Sequence, residues 1–141
     1  MIQVILSFFL LSISTFQSKN EGEIHITIQE SLNDVGMIQV LLFNNKEGFP
    51  SDPEKALKSI SLPIKNKKAE IILKGIQPGS YAISVFHDDD KDGKIKTNAL
   101  GIPIDKYGFS NNPTLLFGPP SFSRASFVVK DKPVKVEIKL H

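Results

Sequence analysis

The stretch PVKVEIKL, Pro133 to Leu140, alternates without a break. Val134, Val136, Ile138 and Leu140 fall on one side, Lys135, Glu137 and Lys139 on the other. A period of two suits a pleated strand with one dry and one wet face, and a helix cannot use it. The same period runs through residues 24–29, where Ile24, Ile26 and Ile28 alternate with His25, Thr27 and Gln29. Met37 to Phe43 is a longer apolar run, as expected of a central strand. Lys58–Pro63 and Lys68–Leu73 read as strands around a turn at 64–67, and Ser123–Lys130 as another. Gln77-Pro78-Gly79 is a tight turn feeding Ser80–His87 (SYAISVFH), which places Tyr81, Ile83, Val85 and His87 on one face. Asp52-Pro53-Glu54 looks like an N-cap followed by a first-turn Pro, enough for one short helical turn. About seven strands and no long helix predict an all-β protein, a single antiparallel β-sandwich.

The 141 residues allow one ordinary domain, and 40% hydrophobic with 23% charged residues suit a folded chain. The absence of Cys excludes disulfides, thiolate nucleophiles and Cys-ligated zinc. The net charge is +2, and every basic residue except Arg124 is Lys, spread along the chain. Specific phosphate or guanine recognition favours the planar Arg fork, so no nucleic-acid role is expected. Met1 to Phe16 (MIQVILSFFLLSISTF) is too short for a membrane span of about 20 residues and has the length of a secretory h-region. Residues 1–18 are therefore read as a secretory signal peptide, although it lacks an early Lys or Arg. Residues 19–141 are read as the β-sandwich domain, exported to the periplasm or secreted, with no transmembrane segment in the mature chain.

The sharpest chemistry is DDDKDGKI, Asp88 to Ile95. Asp88, Asp90, Asp92 and Gly93 match the opening D-x-D-x-D-G of an oxygen-rich calcium loop. Lys94 would add its backbone carbonyl, and Ile95 would anchor the loop. Carboxylates about 4 Å apart repel by about 1 kcal/mol per pair in water, more where solvent is partly excluded, and a divalent cation relieves this. Ca2+ is the expected cofactor, since the donors are hard, numerous and flexible. Position twelve from Asp88 is Ala99 and position nine is Lys96, and the loop follows a strand, so this is no EF-hand. A solvated acidic hairpin with local Asp–backbone bonds is the competing reading.

His87 precedes the loop, but it shares the Tyr81, Ile83, Val85 row, which makes it a packing histidine. The segment 98–122 (NALGIPIDKYGFSNNPTLLFGPPSF) is rich in Gly, Pro and large apolar side chains. One reading has it cover an end of the sandwich, with Leu100, Ile102, Leu115, Leu116, Phe117 and Phe122 buried. The other makes Tyr107, Phe109, Asn111 and Asn112 a ligand surface that combines stacking faces with amide groups.

Tyr81-Ala82, Phe86-His87-Asp88, the D-x-D-G-K run, Asn98, LGIP at 100–103, YGFSNN at 107–112, Phe117-Gly118 and PSF at 120–122 resemble the signature of exported bacterial proteins known as domain of unknown function 2141. The resemblance spans roughly residues 23–140. It implies a secreted or periplasmic sandwich of immunoglobulin- or transthyretin-like type and implies no activity. Lys96 stands where that pattern often has an acidic residue. Together these readings predict an exported, non-enzymatic binding or structural module with a calcium-type acidic loop and an extracellular or envelope ligand. The competing class is a hydrolase-like enzyme using His87 with Asp88 or Asp90. No serine lies in a G-x-S-x-G elbow to serve it.

Overall fold

The computed structural model describes residues 20–141, so the signal segment 1–18 lies outside the described residues. The elements are β1 (Gly22–Gln29), β2 (Met37–Phe43), β3 (Lys58–Pro63), β4 (Lys68–Ile76), β5 (Gly79–Asp88), β6 (Tyr107–Phe109), α1 (Phe122–Ala125), β7 (Phe127–Val129) and β8 (Val134–Lys139). They form two open sheets that face one another. One has the order β4-β1-β8, the other β3-β2-β5-β6, with β7 pairing β5 beside β6. The all-β sandwich expected from the alternating patterns is what the chain forms.

Its interior takes alternate residues from both sheets. Ile24, Ile26, Ile28, Ala69, Leu73, Val136 and Ile138 meet Ile38, Val40, Leu42, Tyr81, Ile83 and Val85. Each fully buried aliphatic side chain contributes roughly 1.5–3 kcal/mol, so this row is the main source of cohesion. The outer face of the three-stranded sheet stays wet, which is why β1 and β8 alternate so cleanly.

The five-stranded sheet is covered on its second face as well. Phe43 and Ala82, opposite one another on β2 and β5, lie beneath Phe49, Phe109 and Phe122. Phe49 packs edge-on against Phe43 at 5.3 Å and against Phe122 at 5.9 Å. The hydroxyl of Ser84 donates to the carbonyl of Pro50 at 2.6 Å and pins the loop 44–57 to this face. Burial on both sides explains the apolar run Val40–Phe43 of β2.

Four expectations need correction. Segment 98–122 covers a face of the five-stranded sheet rather than an end of the sandwich, through Tyr107, Phe109, Leu115 and Phe122. Leu100, Ile102, Leu116 and Phe117 remain exposed, because their loops project beyond that face. The expected strand 123–130 begins instead as α1, since Ser121 caps a helical turn by accepting the Arg124 amide, and only its second half pairs with β5. Finally, the pairing is antiparallel everywhere except between β1 and β8, which run parallel. The first and last strands enter the same sheet from the same end, so they can meet only in that sense.

Candidate metal centre

Strand β5 delivers Asp88 to the outer face of the five-stranded sheet, at the end where Met37 begins β2. Its carboxylate is 1% exposed and is surrounded by donors. Oδ2 accepts from Gln39 Nε2 at 2.7 Å and from the Gly93 amide at 2.9 Å, while Oδ1 accepts from the Asp92 amide at 3.2 Å. Gln39 in turn accepts from the Ser61 hydroxyl, so a polar row crosses β3, β2 and β5. A buried carboxylate is tolerable only with such partners. These bonds fold the following loop back over the strand end. Its bend needs left-handed backbone at Lys91 and Gly93, and glycine adopts this without strain.

The bend gathers the carboxylates. Oxygens of Asp88, Asp90 and Asp92 lie within 4.8 Å of one another, with Asp88 buried and the other two exposed. Asp90 Oδ1 accepts the Asp92 amide at 3.3 Å, and Asp92 Oδ1 accepts the Lys94 amide at 2.8 Å. Lys94 is exposed, and Ile95 is half-buried as an anchor. The Lys96 amide is held by Asp105 Oδ2 at 2.8 Å, which closes the loop's far side.

Lys96 has a larger part than its position in the motif suggested. Its ammonium bonds Asp89 and lies 3.3 Å from Asp90 Oδ2. The hydrogen bond to Asp89, with help from Asp90, raises the Lys96 pKa above its ordinary value. Desolvation pulls the Asp90 carboxyl upward, but the Asp92 amide, Lys96 and a hydrogen bond with Asp88 outweigh it and hold the pKa below 3.8. The loop thus carries an internal cation beside a set of hard oxygen donors. That donor set fits a hard divalent ion, because oxygen ligands are what such ions take.

His87 points the other way, as alternation along a strand requires. It is 4% exposed, in line with Val85. Nε2 donates to the Val35 carbonyl at 2.6 Å, and Nδ1 accepts the Leu32 amide at 3.4 Å. A carbonyl can only accept and an amide can only donate, so the partners assign the neutral Nε2–H tautomer. Both ring nitrogens are committed to the backbone. Among the described residues no hydrogen bond joins His87 to Asp88 or Asp90. Ser110 is likewise internal: fully buried, it accepts the Ile83 amide at 2.9 Å and donates to the Ala125 carbonyl.

The other nominated residues lie farther along. Tyr107 and Phe109 stack edge-on at 5.8 Å and belong to the aromatic layer. Asn111 donates to the Ser126 and Arg124 carbonyls at 2.7 and 3.3 Å. Asn112 donates to the Glu137 carbonyl and accepts the Lys139 amide, both at 2.9 Å, so its side chain mimics a peptide group along the free edge of β8. These contacts engage both amides within the fold, as the covering reading requires. A shallow depression of about 580 Å³ lies elsewhere, over His25, Thr27, Glu70, Ile72, Lys135 and Glu137 on the wet face of the three-stranded sheet.

The family model described as "Uncharacterized protein conserved in bacteria (DUF2141)" matches residues 26–137. The chain belongs to this family. The DUF2141 match runs from Ile26 in β1 to Glu137 in β8, so the acidic loop and both sheets lie inside it. No curated protein matches the chain significantly. No helix among the described residues is long and apolar enough to cross a membrane.

Proposed function

We propose that this DUF2141 protein is an exported, non-enzymatic binding or structural module of immunoglobulin- or transthyretin-like type whose acidic loop holds Ca2+. The observation that carries the cation reading is the convergence of Asp88, Asp90 and Asp92 oxygens within 4.8 Å at the end of β5. Those three carboxylates and the Lys94 carbonyl would hold the ion, and water would complete the shell. The ion would neutralise clustered charge and stiffen the loop. Lys96 would compete with it, which suits the weak, millimolar to submillimolar affinities of extracellular modules. Export is supported by the sequence of residues 1–18.

The sandwich-type reading has support from Tyr81, whose hydroxyl donates to the Gln77 carbonyl four residues upstream at 2.6 Å. A tyrosine closing a strand corner in this way is a feature of immunoglobulin-like sandwiches. Tyr107, Phe109, Asn111 and Asn112 remain the proposed neighbourhood of an envelope or extracellular ligand, with Tyr107 as its accessible aromatic face.

The test is a thermal melt in chelator and in 10 mM Ca2+. At such a millimolar to submillimolar Kd, 10 mM is about 10–100 times Kd, and a native-state ligand stabilises by about 1.4–2.7 kcal/mol. For a domain of about 120 residues that raises Tm by roughly 6–11 °C. The shift should vanish in the D90A/D92A double variant. An unchanged melt, or an equal shift in the double variant, would reduce the loop to a solvated turn.

A further inference from the structure

The sequence contains a single bond at which a carboxyl or amide side chain precedes glycine. Of the nine glycines only Gly93 follows an Asp or Asn, and the residue before it is Asp92. With no Cβ to hinder it, a glycine nitrogen is the least obstructed backbone nucleophile for the side chain that precedes it.

The reaction open to such a pair is an isomerisation. The Gly93 nitrogen attacks Cγ of the Asp92 carboxyl in its acid form. The N–Cγ bond forms, the Cγ–OH bond breaks, and the hydroxyl leaves as water with the amide hydrogen. Water then opens the five-membered succinimide at the main-chain carbonyl of Asp92, breaking that carbon's bond to the Gly93 nitrogen. The main chain now runs through Cγ, one methylene longer, and the former carbonyl carbon carries the free carboxylate. The composition is unchanged, and water is the only co-reactant.

Several features of the fold favour this step. Asp92 is exposed. Its Oδ1 accepts the Lys94 amide at 2.8 Å, an Asx-type closure that lays the carboxyl beside the intervening Asp92–Gly93 peptide. Gly93 has φ +76°, and nothing lies within 4 Å of where its side chain would start, so the ring and the added methylene meet open space.

One feature opposes it. The attacking nitrogen is engaged, since the Gly93 amide donates to Asp88 Oδ2 at 2.9 Å. Asp88 cannot follow a moving loop: it is 1% exposed and is held by Gln39 Nε2 at 2.7 Å and the Asp92 amide at 3.2 Å. The N–H must leave this charge-assisted bond before its nitrogen can turn toward Cγ.

We propose that Asp92 is a site of isoaspartate formation whose rate is set by Asp88 through its hold on the Gly93 amide. The inference rests on the Asp92–Gly93 bond and its hydrogen bonding, and it stands whether or not the acidic loop holds an ion. The product would shift a carboxylate out of the Asp88, Asp90 and Asp92 cluster.

The test follows isoaspartate in the full-length protein at 37 °C in chelator, by enzymatic methylation of the isoaspartyl carboxylate and mass-spectrometric location of the residue. A peptide of residues 86–97 (FHDDDKDGKIKT), too short to hold the fold, supplies the rate of the released amide. Isoaspartate is expected at residue 92 in both, forming about tenfold or more slowly in the protein, as befits one hydrogen bond to a charged acceptor. D88N, with its fold checked by circular dichroism, should approach the rate of the peptide, and D92E should take up no label at this position. Should D88N unfold, the ratio of peptide to native protein decides alone. Equal rates in peptide and native protein, or a folded D88N no faster than wild type, would remove Asp88 from the account and overturn the proposal. Absence of isoaspartate at residue 92 from the native protein after the peptide has fully converted would overturn it as well.

Discussion

Replacing His87 by Ala separates a packing histidine from a chemical one. The ring is 4% exposed and lies among β5 residues of the main core. Truncating a buried side chain of this size costs roughly 2–4 kcal/mol through lost contacts and the cavity left behind. Two hydrogen bonds also vanish, to the Val35 carbonyl and from the Leu32 amide, each worth about 1 kcal/mol net. Leu32 and Val35 lie in an exposed loop, so water can reach part of what is freed. The sum to expect is therefore about 3–5 kcal/mol, a fall in Tm of roughly 12–20 °C for a domain of about 120 residues. His87→Gln keeps an amide donor near the place of Nε2 and should recover about half of the loss, about 1.5–2.5 kcal/mol. Differential scanning calorimetry of the wild type and both variants reads this directly. A His87→Ala protein within about 0.5 kcal/mol of wild type would refute the reasoning, since a surface change typically costs no more than that.

Two further predictions rest on charge and on the sheet edge. The Asp90 carboxyl, held below 3.8, contributes stability that is present at neutral pH and is lost as pH falls below 3.8 through its lowered value. Lys96→Met should move the Asp90 titration upward, as followed by carboxyl carbon NMR shifts, and an unmoved titration would show that Lys96 has no hold on it. Asn112→Ala removes the peptide-like pair on β8 and should cost about 1–2 kcal/mol. The Lys139 amide should then exchange with solvent at least tenfold faster in hydrogen-exchange NMR, and unchanged protection would mean that another group guards this edge.

Much of the architecture was legible because burial on one face leaves a period of two. The bounds of β2 and β3 coincide with the apolar and alternating runs at 37–43 and 58–63. Short elements were less so. β6 spans only Tyr107–Phe109 and exists because β5 pairs with it, a long-range cause that its three residues do not display. The helical turn at 122–125 hides in a β-like composition and is set by the Ser121 cap. The carboxylate cluster was legible because its spacing is local, and His87 because its row was. The grip of Lys96 on Asp89 and Asp90 was not, since the loop's reversal brings it there. The exposure of Leu100 and Phe117 was equally hidden: hydrophobicity argues for burial, and only the paths of the loops decide against it.

The parallel contact between the first and last strands has a consequence for how this protein comes into being. During synthesis β1 waits for a neighbour encoded more than a hundred positions downstream, with Ile24 facing Val134. Until residues 134–139 are added, one flank of β1 has only an open row of amides and carbonyls, a template for wrong strands. A chain interrupted before Val134 would lack the sheet's closing member, so synthesis past Lys139 is a condition for a finished sandwich.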